Sequence, residues 1–404
     1  MGLVRLPLVV VAAAAALATS LGHADAEELD HRLGAASASE LTGGVRTAPK
    51  TFTLGAYAEV CYQWNFNTPG NDLTNYRGFD NRHNSFTLPN VAFDAQWDYK
   101  GVVGRVTLQV GHTASTYYGA EPGRSGAAGA NASGPELWRF VQQAYVGYRI
   151  PVGRGLLVQA GLFLSPIGPE GIAVRDNWNW SRSTLFFALP YYHTGLRVSY
   201  PLSDRWALTL AAYNGWNSVV DNNAEKSISL QATYTRPERL ALSVLYFVGV
   251  EREREAREGR AWRHLLDAHA TWDVVPRLSL LLHLDGGLEP NAMGLSAWIG
   301  AALYARVKLL RWLYLAARGD ALYERVPAGA TAVFYPASWV ASGTGTVELR
   351  PHERVVFRLE YRHDHGARDL YFAGAVQGAG TPTAPYLPNR RYQDTLTVGA
   401  TTWF

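Results

Sequence analysis

A transmembrane, antiparallel, up-and-down β-barrel of about sixteen strands is the fold this 404-residue sequence predicts. Three observations predict it. Apolar and polar residues alternate in strand-length segments up to the last residue, short and long connections take turns along the chain, and an aromatic residue recurs beside successive short connections. Composition narrows the alternatives. A net charge of +3 gives no electrostatic reason to expect a nucleic-acid partner. Aromatics make up 12%, yet beyond the N-terminus no apolar run approaches the length of a spanning helix. That leaves a large soluble β protein or a barrel that crosses a membrane.

The first element is a leader. "MGLVRLPLVVVAAAAALATSLGHADA" carries Arg5, an apolar run from Leu6 to about Ala18 and small residues at Ala24 and Ala26. Residues 1–26 therefore read as a secretory signal peptide, cleaved after one of those alanines, with an apolar run short of a comfortable membrane anchor. The single cysteine, Cys61, lies far from that site, which argues against a lipoprotein, and it has no partner for an internal disulfide. Residues 27–50 read as a flexible periplasmic segment and 51–404 as the barrel.

The strands follow. In "TFTLGAYAEVCYQW", Phe52, Leu54, Ala56, Ala58, Val60, Tyr62 and Trp64 share one face, and Thr53, Tyr57, Glu59, Cys61 and Gln63 the other. "ISLQATY" sets Ile228, Leu230, Ala232 and Tyr234 against Ser229, Gln231 and Thr233, and "LSLLLHLD" repeats the pattern from Leu278. The chain ends "DTLTVGATTWF", with Leu396, Val398, Ala400, Thr402 and Phe404 on one face, so the last strand runs to its last residue. Single segments of this kind would also suit a sandwich.

The connections discriminate. Short links stand at "YKGV", "PVGRG", "PLSDR", "RPER", "VPR", "KLL" and "RPHE". Long ones are expected near 65–85, 115–137, 166–192, 216–225, 251–262, 288–294, 323–336 and 365–392. Short periplasmic turns alternating with long extracellular loops, with both termini on the short-turn side, is how outer-membrane barrels are built. Beside the short links, on the apolar face, stand Tyr99, Tyr148, Tyr200, Trp206, Tyr234 and Trp272, and Phe404 joins them. Amphipathic rings at one level form the girdle of a lipid headgroup boundary.

The residues also carry a resemblance. "QQAYVGY", "GLFLSPIGPEG", "NWNWSRSTLFFALPYYHTGLRVSY", "AAYNGWNSVVDNN" and "FRLEYRHD", in this order over nearly the whole mature chain, resemble the β-barrel porin type 2, or OmpL-like, family. The resemblance implies a passive outer-membrane channel of a Gram-negative bacterium, for small hydrophilic solutes or ions. The terminal Phe is similar to the signal that such barrels present to the barrel-assembly machinery. Implied partners are outer-membrane lipid and lipopolysaccharide; monomer and homotrimer stay open. No cofactor, metal or enzymatic activity is expected. The alternatives are a structural or adhesive barrel and a barrel-scaffold lipase or protease, for which Ser181 and His193 offer only nearness in sequence.

About sixteen strands enclose water, so inward side chains decide what passes. Parity sends Arg197, Arg318, Asp320, Arg358, Glu360 and Arg362 to the pore wall, within a nearly balanced mixture of charges that also includes Glu59, Arg105, Asp267 and Glu348. Arg197, Arg318 and Arg358 stand away from the periplasmic rim, where they would impose a field; ion pairing along the wall, Arg318 with Asp320 and Arg358 and Arg362 with Glu360, is the competing role. The third long loop, about 165–193, joins the fifth and sixth strands, and the resemblance implies that it folds into the lumen. Its Pro and Gly favour turns, and Trp178, Trp180, Phe186 and Phe187 are apolar anchors that a solvated loop has little reason to carry. Those anchors would hold Glu170, Arg175, Asp176 and Arg182 across the pore; a lid over the outer mouth is the alternative. Weaker signals are "HDH" at 363–365, which alternation splits between two faces, the Asn131 sequon, and "EREREAREGR", a solvated loop or a lipopolysaccharide contact.

Overall fold

The computed structural model describes residues 51–123 and 132–404; the leader, the 27–50 segment and the Asn131 sequon lie outside them. Sixteen staves close one antiparallel barrel. In chain order they are β1 (Thr51–Asn65), β2 (Ser85–Thr87 and Val91–Tyr99), β3 (Val102–Val110), β4 (Val141–Ile150), β5 (Leu156–Leu164), β6 (Tyr192–Pro201), β7 (Trp206–Tyr213) and β8 (Ser227–Arg236). The second half is β9 (Leu240–Val250), β10 (Trp262–Val275), β11 (Leu278–Asn291), β12 (Gly294–Leu310), β13 (Leu313–Arg325), β14 (Trp339–His352), β15 (Val355–Gly366) and β16 (Tyr392–Trp403). Closure is made by β16 on β1, in register from Tyr57↔Trp403 to Asn65↔Thr395. The Phe404 N–H donates to Ala56 O at 3.1 Å, so the chain terminus is tied into the seam.

Both parts of β2 pair with β1, Cys61↔Thr87 and Ala58↔Val91, so they form one stave with a break between. The break falls at 88–90, where Pro89 has no N–H to give the ladder, and Asn90 O bridges it by accepting from Glu59 N at 2.8 Å. Alternation holds along the staves. On β8, Leu230 is 52% exposed and Gln231 3%, which is the outward and inward assignment the pattern predicts. Among the described residues no helix is long and apolar enough to cross a membrane.

Two connections differ from expectation. The long loop expected at 288–294 is a two-residue hairpin, because Glu289, Pro290 and Asn291 stay paired with Ser296, Leu295 and Gly294. Polar residues there do not end the strands, since the staves extend beyond the membrane into water. The short link placed at Lys308–Leu310 shifts to Arg311 and Trp312, with a register irregularity between Lys308 and Leu310. The rim aromatics Tyr99, Tyr148, Trp206, Trp272 and Phe404 are exposed, with Tyr200 and Tyr234 half-buried, and the Trp206 and Tyr234 rings lie 4.9 Å apart on paired positions.

Candidate functional site

Loop 165–191 leaves β5 and returns as β6, and between them its residues touch the inward faces of β1 and of β10–β16. It therefore lies across the inside of the barrel. Backbone in such a place loses its water, and every N–H and C=O needs a protein partner. The inward charges supply them. Carboxylates take the amides: Asp267 accepts from Gly168 N (3.2 Å), Glu59 from Val174 N (2.6 Å), Glu360 from Trp180 N and Ser181 N (2.9 Å), and Asp320 from Thr184 N (2.8 Å). Guanidiniums take the carbonyls. Arg358 donates to Val174 O (2.8 Å) and Asn177 O, Arg318 to Ser181 O and Arg182 O (3.2 Å), and Arg362 to Arg182 O.

The pairing within the wall differs from the expected one. Arg318 does pair with Asp320, at 2.9 Å, but Arg358 pairs with Glu348 at 2.7 Å and Arg362 with Asp364 at 2.6 Å. Glu360 is occupied by the loop amides and by Thr346 Oγ1 at 2.8 Å. Residues two apart on a strand share a face, so sequence made Glu360 equally near to both arginines; the loop backbone decides which acid each one takes.

Apolar anchors complete the seat. Trp180 is buried over Gly399, where an added Cβ would stand 2.3 Å from the indole, so only glycine admits it. Trp178 meets Tyr304 edge-on, Leu185 fills the space above Gly300, and Tyr335 donates to Thr184 O at 2.9 Å from the connection after β13. Phe186 packs on Phe79.

The four loop charges divide. Glu170 accepts from Ser183 N at 3.0 Å and lies 3.4 Å from Arg318. Arg182 folds back onto its own loop, donating to Gly171 O (3.2 Å), Trp180 O (3.0 Å) and Ile172 O, with Phe79 beneath its guanidinium. Arg175 and Asp176, in contrast, keep 26% and 42% of their side chains exposed, with Arg175 over the Tyr57 ring at 5.1 Å. Arg197 stands apart on β6, donating to Gln159 at 2.7 Å and lying 4.4 Å over Phe163.

A match to the family model described as "Putative beta-barrel porin-2, OmpL-like" covers residues 51–404, the whole described barrel. The chain belongs to that family. Solved structures agree in fold. OmpT of Vibrio cholerae matches with a TM-score of 0.55 at 7% identity over 90% of this chain and 100% of that one. The anion-selective porin of Comamonas acidovorans matches at 0.54 with 11% identity, over 88% and 100%. OmpF of Salmonella typhi, in complex with daunomycin, matches at 0.51 with 11% identity, over 89% and 100%. No curated protein sequence matches the chain. This is an outer-membrane porin, a channel formed by a sixteen-stranded barrel.

Two loop-holding acids of the porin, Glu59 and Asp267, and Glu348, which holds Arg358, were visible in the sequence only as inward charges. Their signal was being opposite an aromatic-rich loop, but nothing in the spacing says which strand a loop will reach. The Ser181 and His193 pair does not form: His193 Nε2 meets Ser165 Oγ at 3.3 Å, its Nδ1 faces Gly215 O at 2.9 Å, and Ser181 Oγ accepts from Arg318 at 3.3 Å. His363 and Asp364 point to opposite faces, His363 to Asp394 outside and Asp364 to Arg362 inside. Among the described residues no cluster of metal-ligating side chains occurs.

Proposed function

We propose that loop 165–191 sets the bore of this porin, and that the water path passes between its Val174–Asp176 turn and the wall of β2–β4. The observation that carries this is the contrast within the loop: Glu170 and Arg182 are consumed by internal bonds while Arg175 and Asp176 keep exposed faces. On that wall stand two pairs, Asp94 with Arg105 at 2.8 Å, mostly buried, and Asp98 with Arg149 at 3.6 Å, partly exposed. Three positive and three negative side chains then line the passage. A balanced ring gives weak ionic selectivity and suits small hydrophilic solutes. In this reading Arg318, Arg358 and Arg362 brace the loop and do not filter ions.

Deleting 170–182 should raise single-channel conductance in a planar bilayer; conductance equal to the parent's in a correctly inserted barrel would remove the loop from the path. A protein silent under all conditions would favour a structural or adhesive role. An enzymatic role has little support, since the Ser165–His193 contact has a backbone carbonyl and not a carboxylate behind the histidine. Export by a cleaved 1–26 leader, folding by the barrel-assembly machinery through β16, a lipopolysaccharide-facing outer rim and a homotrimer complete the proposal. A trimer form is known for OmpT of Vibrio cholerae.

A further inference from the structure

The lipid-facing wall is not uniform. At one level of the barrel the outward residues run Tyr234, Leu242, Ala270, Leu282, Leu303 across five adjacent strands, each opposite the next. Ala270 is the one small side chain in that row. Between its neighbours it leaves a groove of about 480 Å³, within the roughly 300–1,000 Å³ range of small-ligand sites. One level nearer the short turns, Trp272 flanks the groove and Arg236 and Arg239 line its end.

Those two arginines are presented together. They are the first and last residues of the β8–β9 turn, closed by Arg239 N donating to Arg236 O at 3.2 Å, with Glu238 held at φ 58° between them. Such a turn brings its end residues within about 7 Å. Among the described residues, no side-chain hydrogen bond or ion pair engages either guanidinium, although Glu238 is adjacent. Two other arginines of this rim are used within the protein: Arg154 pairs with Asp204 at 2.5 Å and Arg350 with Glu348 at 2.6 Å.

We propose that this groove binds one anionic glycerophospholipid of the periplasmic leaflet. An acyl chain lies in the furrow over Ala270, and the phosphate sits between Arg236 and Arg239 at headgroup level beside Trp272. Charge complementarity selects this occupant. Two forked cations at the mouth of an apolar furrow match an anion joined to a hydrocarbon chain, and a free phosphate would leave the furrow unfilled.

The test is native mass spectrometry of the whole porin, refolded with phosphatidylglycerol or with phosphatidylcholine. One phosphatidylglycerol should be retained at collision energies that strip bulk lipid, in preference to phosphatidylcholine. The Arg236→Gln/Arg239→Gln protein should lose that retention about twenty-fivefold, at roughly fivefold per arginine. Ala270→Phe, which fills the furrow and leaves both arginines, should also lose it. Parent conductance in each variant shows that the barrel is intact. Equal retention by parent and double variant would overturn the proposal. So would retention that survives Ala270→Phe, which would mean surface attraction alone, or an oligomer that these substitutions dissociate without any bound lipid, which would make the groove a contact between copies.

Discussion

The inner wall of this porin has two halves, and they use polarity differently. Along β3–β9 the mid-height inward side chains are mostly neutral: Gln143 donates to Thr107 at 3.1 Å, Ser199 meets Thr209 at 2.9 Å, and Gln231 donates to Ser243 at 2.9 Å. Each bond joins neighbouring strands and none reaches loop 165–191. Along β10–β16 the inward groups include Asp267, Arg318, Asp320, Glu348, Arg358, Glu360 and Arg362, all buried, and most bond to that loop. Neutral amides and hydroxyls suffice where a regular ladder already satisfies the backbone. An irregular segment taken out of water leaves many amides and carbonyls at once, and charged partners give the stronger bonds.

The largest break in this comparison is Arg358→Ala. It takes the guanidinium donors from Val174 O and Asn177 O, of which Val174 O keeps the Asn177 N–H at 3.0 Å, and leaves buried Glu348 to Arg306 and Arg350. Removing one member of a buried ion pair costs about 3–5 kcal/mol. The heat-induced gel-mobility transition should fall well below the parent's, with noisier single-channel currents as the loop loosens. Arg358→Lys should recover only part, because an ammonium lacks the planar fork that serves Glu348 and both carbonyls. A transition unchanged in Arg358→Ala would mean that the loop is held elsewhere.

Gly399→Ala should come next. Its methyl would collide with the Trp180 ring, and overpacking a filled site costs typically about 1–3 kcal/mol. Trp180→Phe in the same chain relieves the contact, so the pair of substitutions should be milder than Gly399→Ala alone in the same melting assay; equal losses would show that the two positions are uncoupled.

How much of this was legible beforehand follows from range. Alternation is local, so strand faces such as Leu230 out and Gln231 in were readable from consecutive residues. Hairpin register is nearly local, and reading it failed by a few residues at 288–294 and at Lys308–Leu310, where staves leave the membrane and polarity stops marking their ends. The aromatic anchors Trp178 and Trp180 announced a loop that would not stand in water. Their seats did not show: Gly399 and Glu360 lie on β16 and β15, far along the chain, and no spacing rule links them to β5–β6. Glu348 was readable as inward, whereas the choice Arg358 makes of Glu348 over the nearer Glu360 depends on loop amides that only the closed barrel brings to Glu360.

A smaller effect is expected on the neutral half. Gln231→Ala removes one bond to Ser243 and should cost about 1 kcal/mol, with conductance unchanged, because neither residue touches the loop. A conductance change as large as that of Arg358→Ala would erase the distinction between the halves.

The smallest effect on stability, and the sharpest on function, belongs to the exposed turn. Arg175 lies 3.6 Å from Asp176 with both side chains partly in water, so neutralising either should leave the melting transition near the parent's. Selectivity should move. Loss of the positive charge in Arg175→Gln leaves Asp176 with Asp94 and Asp98 in slight excess, and the reversal potential in a salt gradient should shift toward cations. Asp176→Asn should shift it toward anions, and the double variant should return close to the parent. Each shift should shrink as salt rises from 0.1 M to 1 M, where the screening length falls from about 10 Å to about 3 Å. Parent-like potentials in both single variants would place the path away from this turn and return the filtering role to the wall arginines.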